Sequence, residues 1–197
     1  MDRENFEWIH SWCDNVLDNS LPRVLLIGDS ITHGYQELVR GKLRGKCYVD
    51  YLSSSYAVDN PFLHTLTEGF VKTNPYALIH CNNGLHGRYM AAEVYAAGMT
   101  ELVTMLLKYG KTILATSTYV YDKELTGPHP LFAIVVPERN RIVQKIAKEY
   151  NCPVDDLYTV SSQLEKTFYS ADGTHLKSEG YTILANAVAS SILQNLL

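Results

Sequence analysis

Val24-Leu25-Leu26-Ile27-Gly28-Asp29-Ser30 carries the strongest fold signal in the chain. Four consecutive apolar residues read as a strand buried on both faces, as in parallel sheets covered by helices. Gly28-Asp29-Ser30 turns out of that strand, and a helix is expected over Tyr35 to Arg44. The unit is therefore strand, tight turn, helix. A serine so placed sits at the carboxyl end of its strand, where open α/β sheets build their ligand sites.

The same rhythm continues outward. Further strands are expected over 47–52, 76–81, 111–115 and 153–157. Pro61 suits the first turn of a helix, and residues 91–109 form a long amphipathic one that Gly110 can cap. Pro137 is expected to open a helix to about Tyr150 after a Gly- and Pro-bearing loop over 119–133, with helices near 160–168 and 177–195 completing the chain. Alternation of this kind predicts a three-layer α/β/α sandwich around a five-stranded parallel sheet, with residues 1–197 forming one domain.

Ahead of it, Phe6, Ile9, Trp12, Cys13, Val16 and Leu17 recur at helical spacing. That stripe predicts an N-terminal helical extension over 1–20. It could pack on the domain itself or on a second copy of the chain in a homo-oligomer, and the spacing leaves both open.

Bulk properties exclude several classes. Among 197 residues, 46% are apolar and 19% charged, and the net charge of −4 comes without a basic stripe that would mark nucleic-acid binding. No apolar run approaches the roughly 18–20 residues needed for membrane insertion. The charged start, Met1-Asp2-Arg3-Glu4-Asn5, lacks the apolar stretch of a signal peptide, so a cytoplasmic location is expected. Cys13, Cys47, Cys81 and Cys152 form no Cys-x-x-Cys pair and read as free, mostly buried thiols. No His/Asp/Glu cluster has metal-ligand spacing and no glycine-rich phosphate loop occurs, so neither metal nor cofactor is expected.

Chemistry enters with a second segment, Asp172-Gly173-Thr174-His175. A carboxylate and an imidazole three residues apart can hold one ring nitrogen and leave the other free to accept a proton. Combined with Ser30, they supply a nucleophile, a base and a group that orients the base. Thr32 stands where a Gly-x-Ser-x-Gly elbow needs its second glycine, so that motif is absent.

Gly28-Asp29-Ser30 and Asp172-x-x-His175, followed by Gly180-Tyr181, resemble the SGNH hydrolases, the GDSL-type esterases and lipases. The likeness runs from Arg23 to the final helix and implies a flavodoxin-like fold. It also implies Ser30 as nucleophile, His175 as general base and Asp172 as its partner. Such enzymes build an oxyanion hole from the serine amide, an amide after the second strand and an asparagine after the third. No glycine lies between Gly45 and Gly69, so the Ser55 amide in the Ser53-Ser54-Ser55-Tyr56 turn is the expected substitute. The third block reads Asn82-Asn83-Gly84-Leu85-His86-Gly87, like a subgroup with an Asn-x-Gly-Leu-His pattern, which makes Asn82 and His86 the candidate donors without an order between them. Asp29, Asn83, Thr118 and Tyr119 are the candidate substrate contacts. The implied activity is hydrolysis of small acyl esters, such as O-acetyl esters of sugars or other polar alcohols. The competing reading is a non-catalytic module that binds a carbohydrate or an ester on the same scaffold.

Overall fold

The computed structural model describes residues 5–196. Six strands make one sheet: β1 (Ile9–Trp12), β2 (Arg23–Gly28), β3 (Tyr48–Ser54), β4 (Leu78–Cys81), β5 (Lys111–Ala115) and β6 (Val154–Asp155), in the spatial order β1-β3-β2-β4-β5-β6. Five of the six are parallel, and their order is the flavodoxin-like one. The order reverses between β2 and β4, so a crevice opens beyond their carboxyl ends.

Period-2 alternation along the strands splits the core in two. Val24 and Leu26 of β2, with Ile113 and Ala115 of β5, face α1 (Ser30–Leu43) and α6 (Ser178–Leu196). Leu25 and Ile27, with Ile79, Cys81 and Leu114, face α2 (Pro61–Val71), α3 (Ala92–Leu106) and α4 (Phe132–Glu149). Both faces are covered, so β2 has no exposed residue, as its uninterrupted apolar run requires. A short helix, α5 (Leu157–Ser162), and a 3-10 turn over Lys166–Phe168 lead to α6. No described helix is long and apolar enough to cross a membrane. All four cysteines are free, and burial pushes the Cys47 thiol up to about 11.

Three expectations need correction. Residues 9–12 of the predicted N-terminal helix form a strand, antiparallel to β3 with Ile9 opposite Ser54 and Trp12 opposite Tyr51. It occupies the otherwise open edge of β3, which offers a row of unpaired backbone donors and acceptors. The apolar stripe is not buried as a helical face would be: Phe6, Ile9, Trp12, Val16 and Leu17 are all exposed. The part of that prediction on Met1–Glu4 lies outside the described residues. The sheet consequently has six strands and is mixed. Finally, α4 begins at Phe132 and carries Pro137 inside it, because Phe132 and Val136 reach the core about two turns and one turn before Asn140 does.

Candidate active site

Ser30 is the first residue of α1, directly after the β2 carboxyl end. Asp29 caps the helix: its Oδ1 accepts the Ile31 N–H at 2.9 Å. The Ser30 N–H is one of the first-turn donors for which the helix itself has no acceptor. An oxyanion beside it would also meet the positive end of the helix dipole.

His175 arrives from the far end of the chain on a turn that the sequence shapes closely. Tyr169 pairs with Leu176, and the Ser170 N–H donates to the His175 carbonyl at 2.8 Å, so residues 169–176 form a small hairpin. Gly173 at its tip has φ of +71°, and a Cβ there would lie 2.5 Å from the Tyr121 carbonyl oxygen. The Tyr121 N–H in turn donates to the Gly173 carbonyl at 2.8 Å, which docks the hairpin on the loop after β5. Only glycine fits so close an approach at positive φ.

The three side chains meet. The Ser30 hydroxyl donates to His175 Nε2 at 2.8 Å, and His175 Nδ1–H donates to Asp172 Oδ2 at 2.5 Å. Asp172 Oδ1 accepts the Thr174 and His175 backbone N–H groups, each at 2.9 Å. Partial burial would raise the Asp172 pKa, but the hydrogen bonds from the His175 ring and these two amides prevail and hold it below the ordinary value. The carboxylate thus stays charged, fixes the imidazole tautomer, and leaves Nε2 as the acceptor facing Ser30.

Ser30 and His175 open into a cavity of about 240 Å³ lined also by Trp8, Leu85, His86, Arg88, Phe132 and Thr174. Of the two expected third-block donors, His86 is in this wall. Asn82 is not: its amide donates to the Ala115 carbonyl at 3.0 Å and to Ser117 Oγ at 3.5 Å, tying β4 to the end of β5. Ser55 is likewise committed elsewhere, because its N–H donates to the Trp8 carbonyl at 3.2 Å as the β1–β3 pairing continues past Ile9. No expectation drawn from residues 53–56 could foresee a partner strand arriving from 47 residues upstream.

The expected substrate contacts also differ. Asp29 is fully buried as a helix cap. Asn83 donates to the Tyr56 carbonyl at 2.9 Å and is buried. Thr118 faces an enclosed crevice with Ile31, Tyr35 and Asn82, and Tyr119 packs edge-on against Tyr121 at 4.9 Å. None of the four lines the Ser30 cavity.

Two structural residues went unread. Arg139 on α4 is 2% exposed, donates to the carbonyls of Gly84 (2.8 Å) and His86 (2.7 Å), and also to that of Gly87. Its neighbour Asn140 accepts the Ser117 N–H at 2.8 Å and donates to the Ser117 carbonyl at 3.0 Å. Together they tie down the loops that follow β4 and β5. The adjacent letters Arg139-Asn140 on an amphipathic helix carried one hint, since both fall on its core-facing side with Val136 and Val143.

Strand order and layering define the class first: an α/β/α sandwich shared with known ester hydrolases. In particular, the chain is similar to the acetylxylan esterase Axe2 from Geobacillus stearothermophilus, with a TM-score of 0.72 and 21% identity over 87% of this chain and 94% of that one. It is similar to the acetyl xylan esterase AlAXEase (TM-score 0.70, 16% identity, 86% and 99% covered). A member of the lipolytic protein G-D-S-L family from Veillonella parvula is also similar (TM-score 0.66, 19% identity, 87% and 96% covered). At these identities the likeness is one of fold. No protein-family model and no curated protein sequence matches the chain.

Proposed function

We propose that this protein is a serine esterase of the SGNH type that hydrolyses small acyl esters, O-acetyl esters of sugars or similar polar alcohols among them. The observation that carries the reading is the hydrogen-bonded line Ser30–His175–Asp172 opening into a cavity at the sheet's switch point. The esterases among its structural neighbours support it at the level of fold.

The chemistry runs in two acyl-transfer steps. Ser30 Oγ attacks the ester carbonyl carbon while its proton passes to His175 Nε2, and Asp172 stabilises the imidazolium through Nδ1–H. The carbonyl electrons move onto oxygen, which the Ser30 N–H and the adjoining His86 wall stabilise. Collapse expels the alcohol oxygen, protonated by His175 Nε2–H, and leaves an acyl-Ser30. Water then adds with its proton going to Nε2, and collapse returns that proton to Ser30 Oγ as the carboxylic acid departs. A lost oxyanion donor typically costs about 3–4 kcal/mol of barrier.

Acetate release from acetylated xylo-oligosaccharides tests the reading. Turnover by the wild type with none above background in Ser30→Ala is the supporting result. Turnover by neither, or equal turnover by both, overturns it.

A further inference from the structure

β1 delivers to the pocket a side chain that the acyl-transfer steps do not use. Trp8, one residue before β1, lines the same cavity as Ser30 and His175. Its backbone is gripped on both sides: the Trp8 N–H donates to Ser55 Oγ at 2.9 Å, and the Trp8 carbonyl accepts the Ser55 N–H at 3.2 Å. The same hydroxyl donates to the Glu7 carboxylate at 2.6 Å.

Around the indole sit His10 at 5.2 Å, His86 edge-on at 6.3 Å and His33 at 6.5 Å, ring centre to ring centre. Beyond the far end of β1, the Asp14 N–H donates to Asp50 Oδ1 at 2.8 Å, and Asp50 forms a buried ion pair with Arg23 at 2.7 Å. The strap is therefore fastened at both ends, and the indole is positioned by ladder, anchor and ring packing.

Besides Trp8, the cavity is lined by five polar residues, Ser30, His86, Arg88, Thr174 and His175, and by Leu85 and Phe132. A broad aromatic face within a polar rim suits a ligand of matching form. A pyranose ring has that form, with C–H groups on one face and hydroxyls around its edge. An alkyl chain would leave the polar rim without partners.

We propose that Trp8 is a specificity-determining residue, the platform on which the sugar ring of the alcohol moiety stacks, and that β1 is the strap that holds it there. The proposal rests on the esterase reading for which carbonyl is cleaved, but not for the binding of the ring.

The test compares two acetate esters, O-acetylated xylotriose and vinyl acetate, whose alcohol part has no ring. In Trp8→Ala, kcat/KM for the sugar ester falls about tenfold or more through KM, while vinyl acetate stays within about threefold of wild type. Trp8→Phe retains most of the sugar-ester rate. Ser55→Ala, which frees the strap but keeps the indole, lowers the sugar ester's kcat/KM selectively and by less; the last two variants answer the question if Trp8→Ala fails to fold. Equal losses on both esters, or an unchanged sugar ester, overturn the proposal. A binding arm separates it from the esterase reading. With only two tryptophans in the chain, Trp12→Phe leaves Trp8 as the single indole. Its fluorescence changes saturably on titration with unacetylated xylotriose, whether or not any ester is cleaved. A flat titration overturns the platform even in an active esterase, whereas a saturable one alongside no ester cleavage sinks only the esterase reading.

Discussion

The Ser30 hydroxyl and the His175 imidazole, 145 residues apart in the chain, lie 2.8 Å apart in space. Two different devices bring them there. Helix α1 fixes the serine at its first turn, and a glycine-tipped hairpin pressed on the Tyr121 backbone fixes the histidine. Neither element depends on the other for its local shape, so the pair can be probed from each side separately.

Asp172→Asn keeps the size of the side chain but removes the charge that favours the imidazolium, and its NH2 can reverse the hydrogen bond to Nδ1. The turnover number is expected to drop by roughly 10³–10⁴. KM should change little, because Asp172 does not line the cavity. Steady-state kinetics on an acetate ester check this, and a loss of less than tenfold would remove Asp172 from the assigned role.

Arg139→Met withdraws charged donors from the carbonyls of Gly84, His86 and Gly87 and leaves these buried acceptors unsatisfied. Each buried acceptor left without a partner costs about 1–3 kcal/mol. Arg139→Lys should recover only part of it, since an ammonium cannot reproduce the guanidinium fork. Urea denaturation measures both, and stability within 1 kcal/mol of wild type in Arg139→Met (roughly the scale of a single ordinary hydrogen bond) would contradict the anchoring role.

Gly84 has a tight neighbour: a Cβ there would lie 2.0 Å from Ser117 Oγ and 3.1 Å from Ser117 Cβ. Gly84→Ala is expected to destabilise by about 1–3 kcal/mol through overpacking. Adding Ser117→Ala removes the closest atom, so the double variant should be more stable than the sum of the two single effects. Additive losses in a thermal-unfolding cycle would show that the contact is not the cause.

Acid sensitivity follows from the carboxylates. Asp156 caps α5 and Asp172 braces the histidine turn. Partial burial would raise both, yet hydrogen bonds, from Thr159 and Thr116 on Asp156 and from His175 and Thr174 on Asp172, hold them below the ordinary value. A carboxyl lowered in the folded state stabilises above its unfolded value of about 3.9, and that contribution is lost as the pH falls through the folded value. Stability should therefore be level near neutrality and decline below about pH 4. Asp156→Asn should flatten the decline in a pH series of denaturant midpoints; an unchanged slope would mean that Asp156 does not contribute to it.

Much of this was legible in the letters because the deciding signals are local. Val24 to Ile27 is an uninterrupted apolar run ended by a glycine turn, the pattern of a doubly buried strand, and Asp172-Gly173 is a favoured turn pair. Residues 6–17 were not legible. Their apolar groups fit a helical period, while Trp8, His10 and Trp12 fit a strand period, and the open edge of β3 decided between them. The partners of Ser55 and Asn82 are hidden from the sequence for a related reason. Each has the right chemistry at the right place in the chain, but its donors are taken by Trp8, and by Ala115 and Ser117. Such long-range partners leave no trace in spacing.

Activation of Ser30 is read out by covalent labelling. A fluorophosphonate probe followed by intact-mass and peptide analysis should give one adduct, on Ser30, abolished in Ser30→Ala and strongly slowed in His175→Ala. Failure of folded wild-type protein to react, or a label on another residue that persists in Ser30→Ala, would contradict the account.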